Sequence, residues 1–177
     1  GGRRVSGLGA LPVAPPPLGR APRPLPASPA LRALVGALPD DGWLAMLVGA
    51  VLTMFSYSSL AIVLLIATLA ASSLIPVTVA LGLVLGANIG SGVLALLATA
   101  NASAQVRRLP MGNLIFKTLG ALLFIAVLPQ AQVLLRQVAP NVHSQVVFFH
   151  LGFNIVLAVV FIGFTGLVGR TVDRWLR

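Results

Sequence analysis

The sequence predicts an all-α integral membrane protein made of a re-entrant hairpin, a broken helix and two further spanning helices. Three observations predict it. Hydrophobic residues make up 58% of the chain and charged residues only 8%, against roughly a quarter charged in soluble domains. Not one charged residue occurs from Gly42 to Val106. Within that stretch polar and small residues cluster twice, at Ser56-Tyr57-Ser58-Ser59 and at Gly86-Ala87-Asn88-Ile89-Gly90-Ser91-Gly92.

The net charge of +9 does not mark a nucleic-acid binder. The arginines lie in the N-terminal tail, at the ends of apolar segments and at the C-terminus, where membrane sorting of positive charge places them. With no cysteine, disulfides, thiol catalysis and thiolate metal sites are excluded. Two histidines and three acids are too few and too scattered for a metal cluster, and no cofactor is expected.

Residues 1–30 hold eight prolines among arginines and cannot form a spanning helix, so they read as a disordered leader. The membrane part is expected over 31–177. Pro29 to Leu38 suits a short amphipathic helix, with Asp40 or Asp41 capping the helix that begins at Gly42 or Trp43. Trp43 to Ile75 runs for about thirty residues, too long for one span and too short for two. With serines at its centre it reads as a re-entrant hairpin: one helix to about Phe55, a turn, and a second helix to about Ala71. Pro76 opens the next helix at a tolerated position, which runs to about Ala100. Asn101 to Pro110 is expected as a loop bearing Arg107-Arg108, Met111 to Leu128 as a span containing Lys117, Pro129 to Ser144 as a loop, and Gln145 to Val168 as the last span. The positive-inside rule puts Arg107-Arg108 and the C-terminal arginines in the cytoplasm. Both ends of the hairpin then face outward, and the setting is a multi-pass protein of the plasma membrane.

Two readings of Gly82, Gly86 and Gly90 compete. Their spacing of four is the small-xxx-small pattern that lets helices approach closely. The nearby Asn88 and Ser91 suit instead an interrupted helix, whose freed carbonyls become ion ligands. The second polar interruption upstream favours the broken helix.

Gly86-Ala87-Asn88-Ile89-Gly90-Ser91 resembles the GANIGT signature of the type II-like sodium–phosphate cotransporters. Tyr57-Ser58-Ser59-Leu60 is similar to that family's QSSS hairpin motif. His150-Leu151-Gly152-Phe153-Asn154 resembles its H-x-x-F-N pattern, with a weaker echo in Asn113-Leu114-Ile115-Phe116-Lys117. The resemblance covers roughly Leu31 to Phe164, and is strongest to the second repeat of the bacterial members. It implies one half of an inverted-repeat membrane domain and a sodium-coupled symporter of inorganic phosphate. The partners implied are the lipid bilayer, sodium as coupling ion, a first repeat, and a PhoU-like cytoplasmic domain. Since this chain holds a single repeat, it reads as a fragment or truncated form of a larger carrier. Tyr57 and Leu60 replace an amide and a hydroxyl of the hairpin motif, Ser91 replaces a threonine, and Lys117 replaces an asparagine.

Under this resemblance, Ser58 and Ser59 at the start of the second hairpin helix bind phosphate, where free amides meet a favourable dipole. Tyr57 either lines that cavity or anchors the tip. Gly86, Asn88, Gly90 and Ser91 offer oxygens to sodium. Lys117, His150 and Asn154 are supporting residues. For His150 and Asn154, one helical turn apart, a plain interhelical hydrogen bond is the favoured role. For Lys117, snorkelling to the surface competes with function, the default for an intramembrane charge. Two other classes remain: a non-transporting scaffold or regulatory remnant, and an intramembrane hydrolase using Ser59 with His150. The hydrolase lacks a carboxylate to orient the histidine.

Overall fold

The computed structural model describes residues 29–30, 33, 37–38 and 42–175. The expected leader, the Pro29–Leu38 helix and the Asp40/Asp41 cap fall wholly or largely outside them. The described chain forms six helices: α1 (Trp43–Ser56), α2 (Ser59–Ala71), α3 (Val77–Ala98), α4 (Ala104–Ala126), α5 (Leu128–Val138) and α6 (Val142–Trp175). Helices α3, α4 and the Val142–Phe164 part of α6 are long and apolar enough to cross a membrane, whereas α1 and α2 are shorter apolar helices. The protein is an all-α membrane protein.

The hairpin forms where the serines interrupt the apolar run. Helix α1 ends in Tyr57, whose left-handed φ of 55° turns the chain, and Ser58 in extended conformation caps α2 by accepting from the Ala61 amide. Ser56 Oγ steadies the turn, donating to the Ser58 carbonyl and accepting from the Ser58 amide. Ser73, with φ 56°, closes α2 in a Schellman motif: the Ser73 amide donates to the Ala70 carbonyl and Leu74 to Leu69, satisfying carbonyls that the helix end leaves free.

Helix α3 is the centre of the bundle. Every residue from Val79 to Asn88 is buried, as expected of a helix surrounded on all sides. Its glycines decide how α1 lies on it. A Cβ on Gly82 would meet the backbone of Gly42, one on Gly86 the Met46 carbonyl and the Ala50 amide, and one on Gly90 the Ala50 carbonyl and Thr53. Gly49 of α1 reciprocates, since a Cβ there would strike the backbone of Leu83. These contacts advance together along both chains, so α1 and α3 run parallel, and α2 must carry the chain back between them.

The broken helix is therefore not formed. Helix α3 is continuous from Val77 to Ala98, and the glycine spacing encodes close approach to α1. Backbone-to-backbone contact yields dispersion and shields polar backbone from lipid, which offsets the roughly 1 kcal/mol that each glycine costs a helix relative to alanine.

Helix α1 is entered through Gly42 at φ 77°, a left-handed conformation that favours glycine. Two other expectations are corrected. Arg107-Arg108 lie in the first turns of α4, since Pro110 is accommodated inside that helix. The region after Pro129 is helical as α5: proline is tolerated in a first turn, and Leu128 and Leu135 bury one face.

Helices α4 and α6 pack antiparallel through aromatic side chains. Phe116 meets Phe161 at 4.5 Å between centroids, and Phe124 meets Phe153 at 5.1 Å, both edge-to-face. Gly92 of α3 faces Leu114 of α4, so α4 also runs antiparallel to α3.

The cysteine-free chain gives a clean test of the hairpin's sidedness. Single cysteines at Asp41 and Leu74 are expected to react with an impermeant thiol reagent from outside, and one at Asn101 to be protected. Labelling of the first two from opposite sides makes the hairpin a full crossing.

Candidate functional site

The polar side chains of three helices meet beside the centre of α3. Asn88, 1% exposed, donates from Nδ2 to the Val84 carbonyl at 2.9 Å and to His150 Nδ1 at 3.2 Å. An amide nitrogen only donates, so Nδ1 is the acceptor and the imidazole proton sits on Nε2. Asn154 donates to Asn88 Oδ1 at 2.9 Å and to the His150 carbonyl at 2.7 Å. Lys117 reaches in from α4 and donates to Ser91 Oγ at 2.7 Å. Ser91 in turn donates to the Asn88 carbonyl at 2.7 Å. Five residues singled out from the sequence, Asn88, Ser91, Lys117, His150 and Asn154, thus form one connected network.

Each is placed by its helix. Asn88 and Ser91 are a turn apart on α3, and His150 and Asn154 a turn apart on α6. Tight α1 packing occupies the glycine face of α3, so its polar face turns to α4 and α6. Lys117 lies between Phe116 and Gly120, residues through which α4 rests on α6. Its ammonium points into the bundle and does not snorkel. His150 and Asn154 make the interhelical hydrogen bonds expected of them.

A cavity of about 510 Å³ opens beside the network, between α4 and α6. Its polar lining is Lys117, Asn154 and Asn113, among the apolar walls of Phe116, Leu157 and Phe161. Asn113 lies one turn before Lys117, a spacing that signals a shared face. Thr53 went unnoticed. It is fully buried beside Gly90, and its hydroxyl has no hydrogen-bond partner.

Helix α3 offers no freed backbone for the sodium site expected at Gly86 to Gly90. In a continuous helix the carbonyls of Gly86 and Gly90 stay in the backbone ladder, and these two glycines serve the contact with α1. Nor do Ser58 and Ser59 join the network. At the register of the α1–α3 contacts, the hairpin tip lies about eight residues along α3 from Asn88, about 12 Å at the rise of an α-helix. Tyr57 is 81% exposed at that tip and contributes no wall to the cavity. The hydrolase pairing finds no geometric basis, since the side-chain bonds of His150 go to Asn88 and Asn154.

Residues 26–171 match the Na+/Pi-cotransporter family, and the chain belongs to it. Over 176 residues it is 36% identical to YjbB of Salmonella typhimurium (strain LT2), a protein named for proposed inorganic phosphate export; the match covers 99% of this chain and 32% of that protein. YjbB of Escherichia coli (strain K12) matches at the same identity and coverage. The uncharacterized protein YqeW of Bacillus subtilis (strain 168) is 29% identical over 133 residues, 75% of this chain and 43% of that protein. The chain spans about a third of the length of the YjbB proteins it matches. No solved structure matches.

Proposed function

We propose that this chain supplies one membrane repeat of a carrier that moves inorganic phosphate across the plasma membrane, with the Asn88–Ser91–Lys117–His150–Asn154 network as its contribution to the transport pathway. The observation that supports this is the convergence of amides, a hydroxyl, an imidazole and an ammonium from three helices inside an apolar bundle. Polar groups at that depth are costly, and an ammonium beside amide donors suits an oxyanion that has shed water. The phosphate export named for YjbB and the family's own description point to the same substrate. A carrier reading also leaves no enzymatic role to assign.

The apolar outer faces of α4 and α6, with Leu119, Leu123, Ile155 and Val159 exposed, suit contact with lipid and with a second repeat. The positive-inside rule sets the ends of α3 and α6 toward Arg107 and Arg170 in the cytoplasm. The test is radioactive phosphate flux in cells deficient in phosphate carriers, expressing this chain alone or with the first repeat of a close relative. Flux is expected only in the pair. Replacing sodium by choline in the same assay reads out the sodium coupling that the family description names. Absence of flux in the pair, with both pieces inserted, counts against the carrier reading.

A further inference from the structure

The side-chain oxygens that the sequence offers to a sodium ion already take part in hydrogen bonds within the bundle. Ser91 Oγ accepts from Lys117 and donates to the Asn88 carbonyl, and Asn88 Oδ1 accepts from Asn154. The carbonyls of Gly86 and Gly90 remain within a continuous helix. The group that has reached one of these oxygens, Ser91 Oγ, is itself a monovalent cation. Among the described residues Ser91 is the hydrogen-bond partner of Lys117 Nζ, and neither α3 nor α4 carries an acidic residue. The ammonium therefore brings a positive charge that no carboxylate on its own helix or on α3 cancels. It also lines the open cavity, with Asn113 and Asn154 as neighbouring amides.

We infer that Lys117 is a tethered cation standing in for a coupling ion: its ammonium supplies the positive charge that an anion in the adjoining cavity needs, so this repeat binds its anion without sodium. A sodium ion and the ammonium both held at Ser91 Oγ would repel strongly at this depth, where solvent screening is weak. Sodium and the ammonium are thus alternatives. Lysine suits the task as a compact point charge on a long, flexible stem. The inference deepens the phosphate-carrier reading and rests on it only for the identity of the anion.

The experiment is thermal unfolding of the purified chain in detergent, in sodium chloride and in choline chloride at equal ionic strength, each with and without inorganic phosphate. A ligand that binds only the folded state raises Tm. The parent is expected to have the same Tm in both salts, and phosphate is expected to raise it equally in both. Lys117→Asn frees Ser91 Oγ and adds an amide oxygen, so sodium over choline is expected to raise its Tm by about 3 °C at tenfold excess over Kd, with phosphate acting only when sodium is present. Lys117→Gln, closer in length to lysine, serves the same purpose if the shorter variant folds poorly.

A sodium response of the parent equal to that of the variants overturns the inference. So does a phosphate response of the parent that requires sodium, or a lack of sodium response in both variants. If the sodium results are as expected and phosphate stabilises nothing, the tethered cation stands and the phosphate reading fails.

Discussion

Gly86→Leu is expected to separate α1 from α3 and to cost about 3 kcal/mol or more, the upper range for forcing bulk into a packed interior. The reason is geometric. The new Cβ would collide with the Met46 carbonyl and the Ala50 amide, backbone atoms that no rotamer change can move aside. Since Gly49 presses α1 against Leu83 in the same interface, neither helix has a free direction in which to relax. The measure is the yield of monodisperse protein after detergent extraction and the Tm of what is recovered. Gly152→Ala is the control: a Cβ there meets nothing within 4 Å, and the helix gains up to about 1 kcal/mol from the better helix former. Equal stability of Gly86→Leu and the parent would mean that α1 and α3 do not meet backbone to backbone.

Asn88→Leu has the second-largest expected effect. Leucine is of similar size, so packing is largely kept, and the loss falls on hydrogen bonding. The substitution removes the acceptor for Asn154 and the donor to His150. Buried groups left without a partner cost about 1–3 kcal/mol each in water-soluble proteins, and interhelical bonds in membranes average about 0.6 kcal/mol. A total loss of about 1–3 kcal/mol follows. Asn88→Asp keeps an oxygen for Asn154 but forfeits both donations of Nδ2, to the Val84 carbonyl and to His150, and sets a carboxylate near the Lys117 ammonium. Phosphate flux through the paired repeats is expected to fall to background in Asn88→Leu. Retained flux with a lowered Tm would make the network a structural device only.

The hairpin was readable because its signal is local. Serines that interrupt an apolar run place the turn, and the helices end at Ser56 and Ala71, within a residue of the expected positions. The fate of Gly86 to Gly92 was not readable, because the same residues describe a loosened helix and a close-packed one. What distinguishes them is the small residues of α1, Gly49 and Ala50, at matching levels some forty positions earlier. Helix α5 was hidden by Pro129, although Leu128, Ala131 and Leu135 already carried a helical spacing. The network was half legible. Helical periodicity pairs Asn88 with Ser91 and His150 with Asn154, and only the three-dimensional arrangement brings α4 alongside to show where Lys117 points. The separation of Ser58 and Ser59 from Asn88 likewise depends on the register of two helices, which no single-chain pattern contains.

The way α1 meets α3 also sets where this bundle can yield. Contact between backbones, with no intervening rotamers, leaves nothing to flex, so the two helices behave as a single stiff plate. Helices α4 and α6 instead touch through the rings of Phe116, Phe124, Phe153 and Phe161, surfaces that can slide past one another as packed helices do in shear motions. The seam between plate and sliding pair is crossed by the bonds from Lys117 to Ser91, from Asn154 to Asn88 and from Asn88 to His150. Any shear of one block against the other must break and remake those three bonds, which makes them the latch of that motion.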